Sequence, residues 1–102
     1  MKKSDREIKL YQDFILEFGK ELKSKITDSY SFRDDLLRNK FKTDESTQER
    51  ALAACDSKIS AYRSAVYLLI DTGRKYNISD AELGFTGLKK ENEGSFENFF
   101  RE

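Results

Sequence analysis

Residues 52 to 76 carry apolar or small side chains in alternating steps of three and four: Leu52, Cys55, Ile59, Tyr62, Val66, Leu69, Gly73 and Tyr76. That is the period of one face of an α-helix. A second stripe runs beside it at Ala51, Ala54, Ala61, Ala65 and Leu68, interrupted by Lys58. Two adjacent stripes make one broad apolar face on a single long helix, and other helices must cover a face of that width. The expected fold is therefore all-α. It is a small helical bundle with two long near-antiparallel helices, a short bridging helix and short C-terminal helical segments.

The rest of the chain supplies those helices. Ser4 and Glu7 have the spacing of a capping box, in which each side chain satisfies the other residue's free backbone N–H. Behind them Ile8, Tyr11, Ile15, Phe18, Leu22 and Ile26 fall on one face, flanked by Leu10, Phe14 and Leu16. This predicts a first helix from about residue 5 to 27, with Asp28, Ser29 and Ser31 as turn and cap residues. Phe32, Leu36, Leu37 and Phe41 then predict a brief bridging helix with those side chains inward. Thr43 or the Ser46/Glu49 pair offers the next N-cap, and the following helix runs to about Lys75, on the order of 45 Å at the usual rise. Ser79 and Glu82 form another capping box, Ile78 and Leu83 match a hydrophobic staple, and Gly84 and Gly87 stop that short helix. The absence of proline suits long uninterrupted helices.

Domain organisation is simple. Residues 1–88 are expected to form one helical bundle domain. Residues 89–102 are expected to form a polar hinge and an acidic, aromatic C-terminal segment, free to dock on that bundle. Of the 19 basic and 19 acidic residues, residues 79 to 102 hold only 3 basic against 6 acidic, so the last quarter is acidic and the body mildly basic. A balanced total argues against non-specific attraction of the whole surface to nucleic acid or membrane.

The inventory also limits chemistry. There is no histidine and one cysteine, which excludes Ser-His-Asp and Cys-His catalysis, His-containing zinc sites and any internal disulfide. No phosphate-binding glycine loop or dinucleotide fingerprint is present. Asp44, Glu45 and Glu49 read as a helix start, Cys55 as a small core hydrophobe, and Asp13, Glu17 and Glu21 as a solvated helix face on which Glu21 and Lys25 pair favourably. The chain is expected not to be an enzyme and to use no cofactor or metal. One cysteine suits a reducing compartment, and the N-terminus lacks the apolar core of a signal peptide, so the expected location is cytoplasmic, with no membrane contact.

Binding remains as the expected mode of action. Phe96, Phe99 and Phe100, set around Glu97, resemble an amphipathic anchor that inserts into a partner's groove; alternatively the rings dock on the protein's own helices and complete the core. The favoured expectation is an adaptor or inhibitor that occupies a protein partner's surface through Phe96, Glu97, Phe99 and Phe100. A second expectation is a nucleic-acid-associated regulator using Arg33, Arg38, Lys40 and Lys42, although Asp34, Asp35, Asp44 and Glu45 dilute that patch. A third is a structural homo-oligomer component, because one helix pair can leave part of the broad face uncovered and a homodimeric four-helix bundle would complete it.

Overall fold

A computed structural model describes residues 4–88 and 93–101. Four helices follow in order: α1 Asp5–Leu37, α2 Glu45–Lys75, α3 Asp80–Leu83 and α4 Glu93–Arg101. The all-α bundle with two long helices is thus the architecture. The separate bridging helix is not: residues 32 to 37 are the last turns of α1, which continues unbroken through Asp28, Ser29 and Ser31. The hydroxyls of Thr27 and Ser29 donate to the carbonyls of Lys23 and Lys25 one turn back, each at 2.8 Å. Satisfied inside the helix in this way, they do not compete with it, and with no glycine or proline between Lys20 and Leu37 nothing else breaks the run.

The helix ends show why the chain turns where it does. Asn39 (φ 52°) and Asn77 (φ 63°) adopt the left-handed conformation just beyond α1 and α2. Asn39 N–H donates to Leu36 and Lys40 N–H to Asp35, and the same two-bond pattern joins Asn77 to Arg74 and Ile78 to Gly73. These are Schellman stops, with asparagine in the position that glycine usually fills. Gly84 (φ 81°) repeats the pattern after α3. At the start of α2 the cap is Asp44, whose carboxylate accepts from Thr47 N–H at 2.8 Å, rather than Thr43 or Ser46. Ser4 caps α1, and the Ser79/Glu82 box caps α3.

α1 and α2 form an antiparallel hairpin. Bonds across it join Gln12 to Tyr76, Ser29 to Cys55, Arg33 to Asp56 and Leu36 to Gln48. The position numbers of those pairs add to between 84 and 89, so residues whose numbers add to about 86 stand level on the two helices. The first stripe of α2 packs into this seam, with Cys55, Ile59, Val66, Leu69 and Gly73 buried against Ile15, Leu22, Ile26 and Tyr30 of α1. α3 and α4 lie across one broad side of the hairpin and bring Leu83, Phe85, Phe96 and Phe100 into the same core. The molecule measures 57 × 23 × 20 Å, with a radius of gyration of 16.7 Å. About 13 Å is usual at this length, so a rod two helices wide leaves much of its surface in water.

Candidate functional site

Among the described residues, nothing packs over the side of the hairpin opposite α3 and α4. Helix geometry assigns it the second stripe of α2 and, on α1, Leu10, Phe14, Phe18, Glu21, Lys25, Asp28 and Phe32, again in steps of three and four. The large side chains there are exposed: Leu10 63%, Phe14 66%, Phe18 40% and Leu68 69%, with Tyr11 and Phe32 near half. Taking roughly 200 Å² for a full side chain, the five residues Leu10, Tyr11, Phe14, Phe18 and Leu68 show water about 550 Å². That is near the top of the range for the largest apolar patch on a soluble monomer. Total accessible surface is 7426 Å², about a quarter above the roughly 5,950 Å² expected for a folded monomer of this mass.

The face has two halves. Near the free ends of the hairpin a groove of about 710 Å³ is lined by Leu10, Phe14, Phe18, Leu68, Thr72 and Tyr76, among others. Phe14 and Phe18 stack with centroids 6.0 Å apart, and Tyr11 stacks on Tyr76 at 5.3 Å. Toward the interhelical turn, a second groove of about 550 Å³ is lined by Lys25, Asp28, Phe32, Ala51, Ala54 and Lys58. The first half is an aromatic ridge. The second is a trough floored by small residues with one acid and two bases on its walls.

The sequence reading of α1 needs correction here. Tyr11 and Phe18 belong to this open side rather than to the core face, and Phe32, Leu37 and Phe41, expected inward, are 46, 52 and 50% exposed. Register explains it for the residues within α1, while Phe41 lies in the turn beyond the helix. Ile15, Leu22 and Ile26 already fill the seam, and the aromatic positions lie one step around the helix from it. Phe32 and Phe41 cover each other instead, at 5.5 Å.

The C-terminal rings lie elsewhere. Phe96 is 2% and Phe100 6% exposed, so neither stands out as a surface anchor. Phe96 packs on Tyr30, Tyr67 and Phe100, with the Arg63 guanidinium 6.0 Å from its ring. Phe99 is half-buried against Phe85, with Lys23 Nζ 5.4 Å from its ring. Glu97 accepts from Arg101 at 2.6 Å, and Arg101 also reaches Asp34 at 2.5 Å, tying α4 to α1. Of the expected hinge, residues 89 to 92 lie outside the described residues, and Gly94 belongs to α4.

Arg33, Arg38, Lys40 and Lys42 are not gathered into one basic face. Arg33 Nε donates to Asp56 at 2.7 Å, and Lys40 pairs with Asp35 at 3.8 Å. The Asp56 hydrogen bond holds the Arg33 guanidinium even more firmly protonated than usual. Arg38 and Lys42 are exposed, around the turn where α1 stops. Cys55 is buried, its thiol donates to the Ser29 carbonyl at 3.3 Å, and burial pushes its pKa up, which is the environment of an unreactive thiol.

Among the described residues, no helix is long and apolar enough to cross a membrane. No protein-family model matches the chain, and neither a curated protein nor a solved structure matches it.

Proposed function

We propose that this chain is a small protein-binding protein, an adaptor or inhibitor working in the cytoplasm, that acts by occupying a protein surface rather than by catalysis. The contact is the open face of the α1–α2 hairpin rather than the C-terminal phenylalanines. One observation carries the reading: α2 has two apolar stripes, and among the described residues the first supplies the core with Cys55, Ile59, Val66, Leu69 and Gly73 while Ala54, Ala61 and Leu68 of the second stay exposed. An uncovered stripe flanked by Phe14 and Phe18 loses free energy to water in the isolated chain and regains it when another helix lies in the groove. Paired Arg33 and Lys40 give the nucleic-acid alternative less support, because a charge already matched within the chain adds less to phosphate binding.

The test is a Phe14→Glu/Leu68→Glu double variant. Both side chains are mostly exposed, so at about 1 μM, where the chain stands alone, the variant is expected to keep its helicity and unfolding midpoint. It is expected to lose the proteins retained by the wild type in a co-purification experiment. Equal retention by both would remove the open face from consideration.

A further inference from the structure

We propose that the open face is closed by a second copy of this chain, giving a two-fold four-helix bundle in which α1 of each copy packs on α2 of the other. The proposal rests on the protein-binding reading above and names the partner.

The area is sufficient. A stable interface buries about 800 Å² on each side. The five-residue apolar patch supplies roughly 550 Å² of that, and Phe32 with the alanine stripe lengthens it toward the interhelical turn.

The pattern is self-complementary. A two-fold axis along the hairpin preserves level, so each residue of α1 meets the residue of the other copy's α2 whose number brings the pair to about 86. From Phe18 to Phe32, each member of the α1 stripe then meets a member of the second α2 stripe, and Phe14 and Leu10 meet Thr72 and Tyr76 in the groove beyond it. Phe18 meets Leu68, Phe14 meets Thr72, Lys25 meets Ala61 and Phe32 meets Ala54. At each of these layers α1 supplies the larger side chain and α2 a smaller one, which lets rings and stems sit between the helices at ordinary packing distance. The one layer with ionisable groups on both helices brings Asp28 to Lys58, and the symmetry makes that pair twice. Lys58, which interrupts the alanine stripe, thereby gains an opposite charge. Exchanging the ends of the second copy would instead lay α1 on α1, with Phe14 near Asp28 and Glu21 near its own counterpart. Like charges at the axis and a carboxylate against a ring disfavour that arrangement.

Charge exchange between copies tests the proposal. Asp28→Lys leaves two lysines at the layer, and Lys58→Asp leaves two aspartates, so each variant alone repels its own copy. Mixed, one chain carries both lysines and the other both aspartates, and every layer contact is opposite in sign. In sedimentation velocity at roughly 100 μM, enough to reveal a dimer of ~10 μM affinity, the wild type is expected at twice the 11.9 kDa chain mass. Each single variant is expected to associate at least ~10-fold more weakly, and an equimolar mixture to recover the dimer. Rescue by mixing cannot arise within one chain.

A wild-type dimer indifferent to both charge changes would overturn this packing of α1 on α2. A wild type that stays monomeric at that concentration would overturn the second copy as occupant. The co-purification comparison with Phe14→Glu/Leu68→Glu then decides separately whether the open face binds a different protein.

Discussion

A Cβ built on Gly19 would stand 3.2 Å from the Cδ2 methyl of Leu83. The other methyl of Leu83 stands 3.2 Å from the corresponding position on Gly73. Leu83 therefore wedges α3 between the two long helices at a point where both have given up their side chains. Helix propensity alone would favour replacing either glycine, by about 1 kcal/mol. We expect Gly19→Leu to destabilise the protein by about 1–3 kcal/mol through overpacking. The same change in a Leu83→Ala background should cost clearly less. Urea unfolding of the four proteins in that cycle measures the coupling.

Phe96 closes the core between Tyr30 and Tyr67. Removing a ring from such a site costs roughly 3–5 kcal/mol, a large part of the 5–15 kcal/mol that holds a domain of this size. Phe96→Ala is expected to lower the denaturation midpoint sharply. Phe14→Ala, on the open face, should leave it nearly unchanged when both are unfolded at about 1 μM, well below the ~10 μM scale of self-association. The reverse ranking would mean that α4 does not cover the core in solution.

Stability should fall on the alkaline side. Burial, and secondarily Glu97, raises the Tyr30 pKa above its ordinary 10.0, and burial likewise raises that of Cys55 above 9.0. In each case the folded state holds the proton more tightly than the unfolded state. Their contribution is fully present below the unfolded values and is lost as pH rises through the folded ones. Unfolding free energy followed from pH 7 to 11 should decline from about pH 9 upward. The decline should be shallower above pH 10 in Tyr30→Phe.

The Tyr67 hydroxyl is buried without a hydrogen-bond partner among the described residues. Its ring packs on Phe96 at 6.3 Å, a contact that phenylalanine keeps. Tyr67→Phe should therefore not destabilise the fold, and relief of the unmet hydroxyl should add up to about 1 kcal/mol. A loss of stability in thermal unfolding would show that the hydroxyl has a partner.

The long helices and their apolar faces were legible because period and length speak together over more than twenty residues of α2. The alanine stripe was legible as well, and so was the need to cover it. What periodicity does not report is which of two adjacent stripes receives the protein's own second helix. On α1 the ambiguity was sharper. Leu10, Phe14 and Phe18 lie one step around from Ile15 and Leu22, and a ring at the edge of a face reads the same whether it turns inward or outward. Asp28, Ser29 and Ser31 resembled a turn because such side chains compete for backbone groups. Only the back-bonds to Lys23 and Lys25 reveal that the helix had absorbed them. The phenylalanines of α4 carried no sequence mark separating core from anchor, since both uses call for the same spacing.

The hairpin's level rule also constrains how a chain of this design can change length. An insertion in α1 alone would carry every later level past its counterpart and turn the seam residues away from each other. Seven residues added to α1 and seven to α2 at the same level would keep both stripes aligned, because a heptad returns each helix nearly to its starting face. With its two long helices stopped at Asn39 and Asn77, such a molecule keeps its seam when both lengthen or shorten in matched heptad steps.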